Sequence, residues 1–246
     1  MKKELKKQIK QDEFATGLEQ AIGWTRAHAQ ELKIAAAAVA LIGGAALGLM
    51  SFHRHRTAQA LQAFGEAMRI YSAPVLAELG EGAEPPRGQV FATSKEKYQA
   101  AAAAFDGVER RWPSVPISLR AGYFAAVCRA ELGELDEAEK ALTAISLRKG
   151  PGALEPALAR LALADLFARR GNTGKAVDAY QQIIADAAFP MPRDHALFRL
   201  AGVLEGARRF AEARASYARL SEDFPASVYA PEARRRADYL KTAPKG

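Results

Sequence analysis

Four alanines, Ala101, Ala138, Ala176 and Ala213, stand 37, 38 and 37 residues apart, and their surroundings repeat with them. Four residues beyond each comes a bulky apolar side chain: Phe105, Leu142, Tyr180, Tyr217. Seven beyond comes a β-branched residue or leucine: Val108, Ile145, Ile183, Leu220. An aromatic–proline pair closes three of the four units, at Trp112-Pro113, Phe189-Pro190 and Phe224-Pro225. A fixed period of this length predicts an all-α stack of helix hairpins, because no single hairpin can bury its own apolar face. Stacks of this kind seldom do chemistry. They present a surface that holds other proteins.

Helical spacing places Leu61, Phe64, Met68 and Tyr71 on one face of a predicted helix over Thr57–Leu79. Gly80–Ala92, with Pro85 and Pro86, interrupts it. The next helix is expected from a cap at Ser94 to about Arg111, although Lys97 stands where a capping box would have Glu or Gln. Further helices are predicted at Ile117–Leu132, Leu135–Leu147, Ala153–Arg170, Gly174–Ala187, Arg193–Gly206, Ala211–Asp223 and Tyr229–Leu240. Glycine and proline breakers separate them. Helices can cross closely only where side chains are small, and the repeated alanines meet that need. Gly133 and Gly171 each fall five residues before a repeat alanine, where the chain turns and positive φ is favoured. Arg208 holds that place in the last unit, so its turn is expected to differ.

Ile34–Phe52 is a run of 19 residues without a charge, bracketed by Lys33 and by Arg54 and Arg56. As a helix it would span about 28 Å, close to the hydrocarbon thickness of a bilayer. A cleaved signal peptide is the rival reading. Its leading region would be 33 residues long, and no clear small-x-small site follows the run, so a retained single-span anchor is expected. Seven basic residues precede the span and favour a cytoplasmic N-terminus with the bulk of the chain outside the cytoplasm. Within about 20 residues of each end the basic count is two before and three after, which does not decide orientation. Ala36, Ala40, Gly44 and Gly48 share one helix face and would let another transmembrane helix approach closely; an alanine-rich span produces the same pattern by composition alone. Before the span, Phe14, Leu18, Ile22 and Thr25, with Trp24 and Leu32 nearby, read as a short amphipathic helix at the membrane surface. The domain reading is therefore a basic tail with this helix over 1–33, the span over 34–52, and a helical repeat domain over 53–246 with an insertion at 80–93.

The chain has a formal net charge of +7, but residues 1–56 hold nine Lys/Arg against five Asp/Glu and so carry more than half of it. No basic stripe interleaved with aromatics appears, which argues against a nucleic-acid partner. A single cysteine, Cys128, excludes an intramolecular disulfide. No catalytic, cofactor-binding or metal-binding residues are expected. His53 and His55 alternate with Arg54 and Arg56, whose charges oppose a metal ion, and no third ligand is near. Gly171-Asn-Thr-Gly174-Lys175 has the wrong glycine spacing for a phosphate loop and Ala176 where a magnesium-binding hydroxyl belongs. Acidic residues at helix starts, such as Asp136 and Glu137, answer the helix dipole and need no catalytic reading.

The segments Gly133-Glu-Leu-Asp-Glu-Ala138 and Gly171-Asn-Thr-Gly-Lys-Ala176, each with a bulky residue four on, resemble tetratricopeptide repeats. Phe210-Ala-Glu-Ala213, Tyr217 and Phe224-Pro225-Ala-Ser227 follow the same pattern, and the resemblance covers about 94–241. The period exceeds the usual 34, and the first-helix tryptophan and tyrosine of the family are not kept. The resemblance implies that the first helix of each hairpin lines a concave groove. Carried over through the alanines, that register turns Arg120, Tyr123, Val127, Leu158, Leu161, Asp165, Arg169, His195 and Phe198 toward a protein partner. A shift of one residue would instead put Leu158, Leu161 and Phe198 in the core. The Lys/Asn set with which some members hold a peptide carboxylate is not matched. A basic tail, one span, a helix, an insertion and then such hairpins resemble the bacterial ancillary subunit of the Sec translocon. That layout implies an inner-membrane anchor, a periplasmic repeat domain, and the translocon and a periplasmic folding factor as partners. The alternative is a scaffold for division, secretion or motility machinery, since the same repeat family includes a cell-division coordinator.

Overall fold

The structure, a computed structural model, describes residues 23–79, 88–148 and 154–242, with the side chains of 35 and 36 excepted. Phe14, Leu18, Ile22, the side chain of Ala36 and most of the 80–93 insertion therefore lie outside the described residues. The chain divides into two compact units, Met1–Thr57 and Ala58–Gly246. Helix α1, Ala29–Tyr71, begins in the first and continues into the second.

In the first unit α1 is long and apolar enough to cross a membrane. Its most apolar 18-residue window has a mean hydropathy of 2.1 and none of it is buried. Ile34, Val39, Leu41, Ile42, Leu47 and Phe52 are all more than half exposed. Ala40, Gly44 and Gly48 are exposed too, and a Cβ added at either glycine would touch nothing.

The described residues of the second unit are helical apart from turns, loops and one isolated bridge. After α1 come a 3-10 turn, Leu76–Glu78, and then α2 (Ser94–Arg111), α3 (Ile117–Glu131), α4 (Leu135–Ser146) and α5 (Leu154–Arg169). They are followed by α6 (Thr173–Ala185), α7 (Asp194–Gly206), α8 (Phe210–Asp223) and α9 (Ala230–Thr242). From α2 onward each helix packs on the next in sequence, and α5 also touches both α3 and α7. That is the geometry of stacked hairpins, with α3, α5 and α7 forming an inner row.

The repeat alanines are fully buried: Ala101, Ala138, Ala176 and Ala213 are each 0% exposed. A second row, Ala121, Ala159, Ala196 and Ala233, keeps the same period and is at most 1% exposed. Each first-row alanine shares a core cluster with the second-row alanine 20 or 21 residues on. Two small side chains thus recur at each step of the stack, which is why the axes can lie close. The bulky residues that follow, Phe105, Leu142, Tyr180 and Tyr217, fill the space beside them at 0–3% exposure.

Three local expectations are corrected. The first array helix ends at Tyr71, not Leu79. Pro74 cannot donate to an upstream carbonyl and disfavours helical backbone before it. The chain instead leaves through an isolated parallel bridge between Val75 and Phe91, with Leu76 N donating to Phe91 O at 2.8 Å and Phe91 N to Pro74 O at 3.1 Å. The cap of α2 is Thr93, whose Oγ1 accepts from Glu96 N at 3.2 Å. Thr93 and Glu96 have capping-box spacing, whereas Ser94 is the first helical residue and donates to Glu78 Oε1 at 2.8 Å. Finally, the turn at Arg208 does not differ from its counterparts. Gly133, Gly171 and Arg208 have φ of 82°, 71° and 59°, and each turn closes with the same pair of backbone hydrogen bonds. Arginine carries a Cβ penalty in that region. Arg208→Gly is accordingly expected to stabilise the array by about 0.5–1 kcal/mol, less than the full penalty because glycine loosens the unfolded chain. Chemical denaturation of the two proteins would measure it.

Candidate functional site

The inner row sets the site. Every helical turn along α3 and α5 places a side chain on the same side, so Tyr123 and Val127 from α3 face Leu158, Leu161, Asp165 and Arg169 from α5. With Met191 before α7, His195 in its first turn and Tyr229 before α9, they line one cavity of about 520 Å³. Seven of the nine residues singled out from the sequence are gathered there. The other two sit elsewhere: Arg120 is tied to Glu155 by Nε at 2.7 Å, and Phe198 packs half-buried against the core. The Phe198 ring stacks on Tyr229 with centroids 4.9 Å apart and meets Tyr217 edge-on at 5.8 Å.

Leu158 and Leu161 are half-buried on the cavity wall, whereas Leu142 and Leu166, which also reach it, are 1% exposed. The lining is mostly apolar, with polar groups spaced around it, the usual make-up of a protein or ligand cleft. Glu131 separates this cavity from a smaller polar cleft of about 410 Å³ bounded by Glu78, Ser94, Lys95 and Tyr98.

A ladder of ion pairs braces the wall from hairpin to hairpin. Arg169 Nη1 donates to Glu131 Oε1 at 2.7 Å, and its Nη2 reaches Ala130 O at 3.0 Å. Arg199 Nε donates to Asp165 Oδ1 at 2.6 Å, and Arg236 Nη1 to Glu205 Oε1 at 3.1 Å. Two of these carboxylates also accept a hydrogen bond from a tyrosine of the outer row: Tyr180 Oη donates to Asp165 at 2.5 Å and Tyr217 Oη to Glu205 at 3.1 Å. Arg169 and Asp165 are thus held by their neighbours rather than free to swing toward a partner. Side-chain hydroxyls and guanidinia that would otherwise be stranded among apolar groups are satisfied.

Burial, followed by the charge of Asp165, pushes the Tyr180 phenol above its ordinary range. Burial likewise pushes Tyr217 up to about 12, with Glu205 adding to it, and Tyr123 up to about 12, with Tyr71 and Asp165 adding. The fold therefore disfavours the phenolate, and the unfolded chain ionises first, near the ordinary value of 10. Stability is expected to be insensitive to these groups below pH 10 and to fall as pH rises through 10 toward 12. Denaturant midpoints measured from pH 8 to pH 11.5 would show a level stretch and then a decline, a shape the Tyr180→Phe variant would soften. The Cys128 thiol is buried and pushed up to about 12, chiefly by desolvation, so it is a packing residue and a poor nucleophile. Among the described residues no cluster of three or more His, Cys, Asp or Glu side chains could hold a metal ion.

Sequence reading did not single out Arg199, Met191 or Tyr229. Arg199 and Arg236 hold the acids of the preceding inner helix from 34 and 31 residues away, a separation that varies from step to step. Met191 and Tyr229 lie in connecting segments, where helical periodicity carries no signal.

A family model described as tetratricopeptide repeat matches residues 94–153, 144–190 and 161–228, more than half of the chain. No curated protein sequence matches it. Among solved structures, a tetratricopeptide repeat protein from Parabacteroides merdae ATCC 43184 is 17% identical over 60% of this chain, with a TM-score of 0.46. The chain spans 55% of the length of that protein. A crystal structure of a putative kinesin light chain with nearly identical TPR-like repeats, from Podosopora anserina, is 14% identical, with a TM-score of 0.53. That match covers 76% of this chain and 86% of the other, a likeness of fold.

Proposed function

The chain belongs to the tetratricopeptide-repeat family, and from that premise we propose that it is a membrane-anchored scaffold that holds protein partners in the groove of its inner helices. The observation that carries this reading is the convergence of Tyr123, Val127, Leu158, Leu161, Asp165, Arg169 and His195 on one cavity of about 520 Å³. Aromatic and arginine side chains around an apolar depression are the composition of binding hot spots. The exposed apolar stretch of α1 supplies the tether. Its work would be localisation: fixing the array at a membrane raises the effective concentration of whatever the groove holds.

At finer grain, we assign the protein to the bacterial inner membrane with a cytoplasmic N-terminus and a periplasmic array, as an ancillary component of the Sec translocon working with a periplasmic folding factor. The support for this is the order of basic tail, span, insertion and repeats. Photocrosslinkers placed at Leu158 and His195 in native membranes, followed by mass spectrometry, test it directly. Recovery of translocon subunits is expected. Reproducible capture of division, secretion or motility components instead would overturn that assignment and leave the scaffold standing. Extraction of the full chain by alkaline carbonate would refute the anchor, and a fusion after Gly246 active only in the cytoplasm would reverse the orientation.

A further inference from the structure

The cavity lies where the repeat loses its rings. In the outer row the register is Phe105, Leu142, Tyr180, Tyr217, and in the inner row it is Tyr123, Leu161, Phe198. Leucine replaces an aromatic residue once in each row, and both leucines, Leu142 and Leu161, line the same cavity. In the last hairpin, where both positions keep their rings, Phe198 and Tyr217 meet edge-on at 5.8 Å and line no part of it. Smaller side chains thus stand on the cavity wall at two positions where the repeat elsewhere carries rings, and the rings of Tyr123 and Tyr229 line the same cavity, groups that can pack edge or face against a guest.

Its charge is equally specific. Three carboxylates, Glu131, Asp165 and Asp194, line the cavity with one guanidinium, Arg169. Arg169 is paired with Glu131, and Arg199 holds Asp165 from beside the cavity. Among the described residues Asp194 accepts only from His195 N at 2.8 Å and Ser227 Oγ at 2.5 Å, and it forms no ion pair. A negative charge is thus left over at one side of an apolar recess.

Resting on the scaffold reading above, we propose that the groove's occupant is a protein segment carrying an aromatic side chain next to a lysine or arginine, the ring entering between Leu142 and Leu161 and the cation meeting Asp194. The register supplies variants that close the recess without foreign chemistry. Leu142→Tyr copies Tyr180 and Tyr217, and Leu161→Phe copies Phe198. The test presents a positional-scanning library of synthetic hexapeptides to the full chain in lipid nanodiscs and quantifies the retained peptides. Wild type should retain peptides with Phe, Tyr or Trp beside Lys or Arg. Each leucine variant should lower that retention about tenfold or more, on the scale of one lost anchor. Asp194→Asn should keep the aromatic preference and lose the preference for lysine over norleucine. Melting curves identify any variant that fails to fold, and the two leucine variants serve as each other's substitute. Retention unaffected by both, selection of acidic or purely aliphatic peptides, or no selection at all would each overturn the proposal. If partners still crosslink through Leu158 and His195, the scaffold reading survives any of those results. If they do not while aromatic-basic peptides bind, it is the scaffold reading that fails.

Discussion

Phe105→Ala is expected to lower the free energy of unfolding by about 3–5 kcal/mol, the range for removing a buried phenylalanine side chain. Phe105 is 0% exposed and sits at the centre of an aromatic cluster drawn from three helices. Its ring stacks on Phe124 with centroids 5.3 Å apart, and it meets Phe64 at 5.6 Å and Tyr71 at 6.3 Å. Large rigid rings on every side cannot collapse into the space left behind, so the cavity penalty adds to the lost transfer energy. The cluster joins the end of α1 to α2 and α3. Losing it should therefore detach the first array helix as well as soften the core. Urea titration of the full chain in detergent, followed by far-ultraviolet circular dichroism, would measure the loss. A change below about 1 kcal/mol would mean that the cluster is not packed as described.

Ala176→Leu is the second large effect, about 1–3 kcal/mol of destabilisation from overpacking. Ala176 is 0% exposed and shares its cluster with Ala157, Ala164, Val177 and Tyr180. Three added carbons have nowhere to go unless α6 moves off its neighbours, and α6 packs on both α5 and α7. Ala215→Leu makes the matched control, because Ala215 is exposed on α8 and should change stability by less than about 0.5 kcal/mol. Equal melting curves for the two variants would remove Ala176 from the helix crossing.

The same alanine explains why the fold was legible from sequence. A small residue at a crossing, a bulky one a turn later and a breaker at the turn are local requirements, so they recur in register and fix hairpins to within a residue or two. Leu135–Ser146 and Asp194–Gly206 fall almost where periodicity put them. Missed details came from competition between neighbours. Thr93 and Ser94 are both good caps, and only the backbone path set by the Val75–Phe91 bridge selects the threonine. Arg208 read as a departure because side-chain identity hid a backbone conformation that the surrounding hydrogen bonds impose regardless. Cavity placement was half legible. Facing positions on α3 and α5 follow from one helical register. What encloses them depends on Met191, Tyr229 and the two leucines, whose joint effect no single segment reveals.

The ladder of Glu131–Arg169, Asp165–Arg199 and Glu205–Arg236 links only adjacent hairpins, and among the described residues α9 packs only on helices that precede it. Within the described array, opening is therefore expected to begin at α9 and travel inward step by step, as in other quasi-one-dimensional arrays. Amide hydrogens of α9 should exchange with solvent first and those of α3 and α5 last. A partner seated between α3 and α5 would then be gripped by the most slowly fluctuating part of the array, while the helices beyond it breathe.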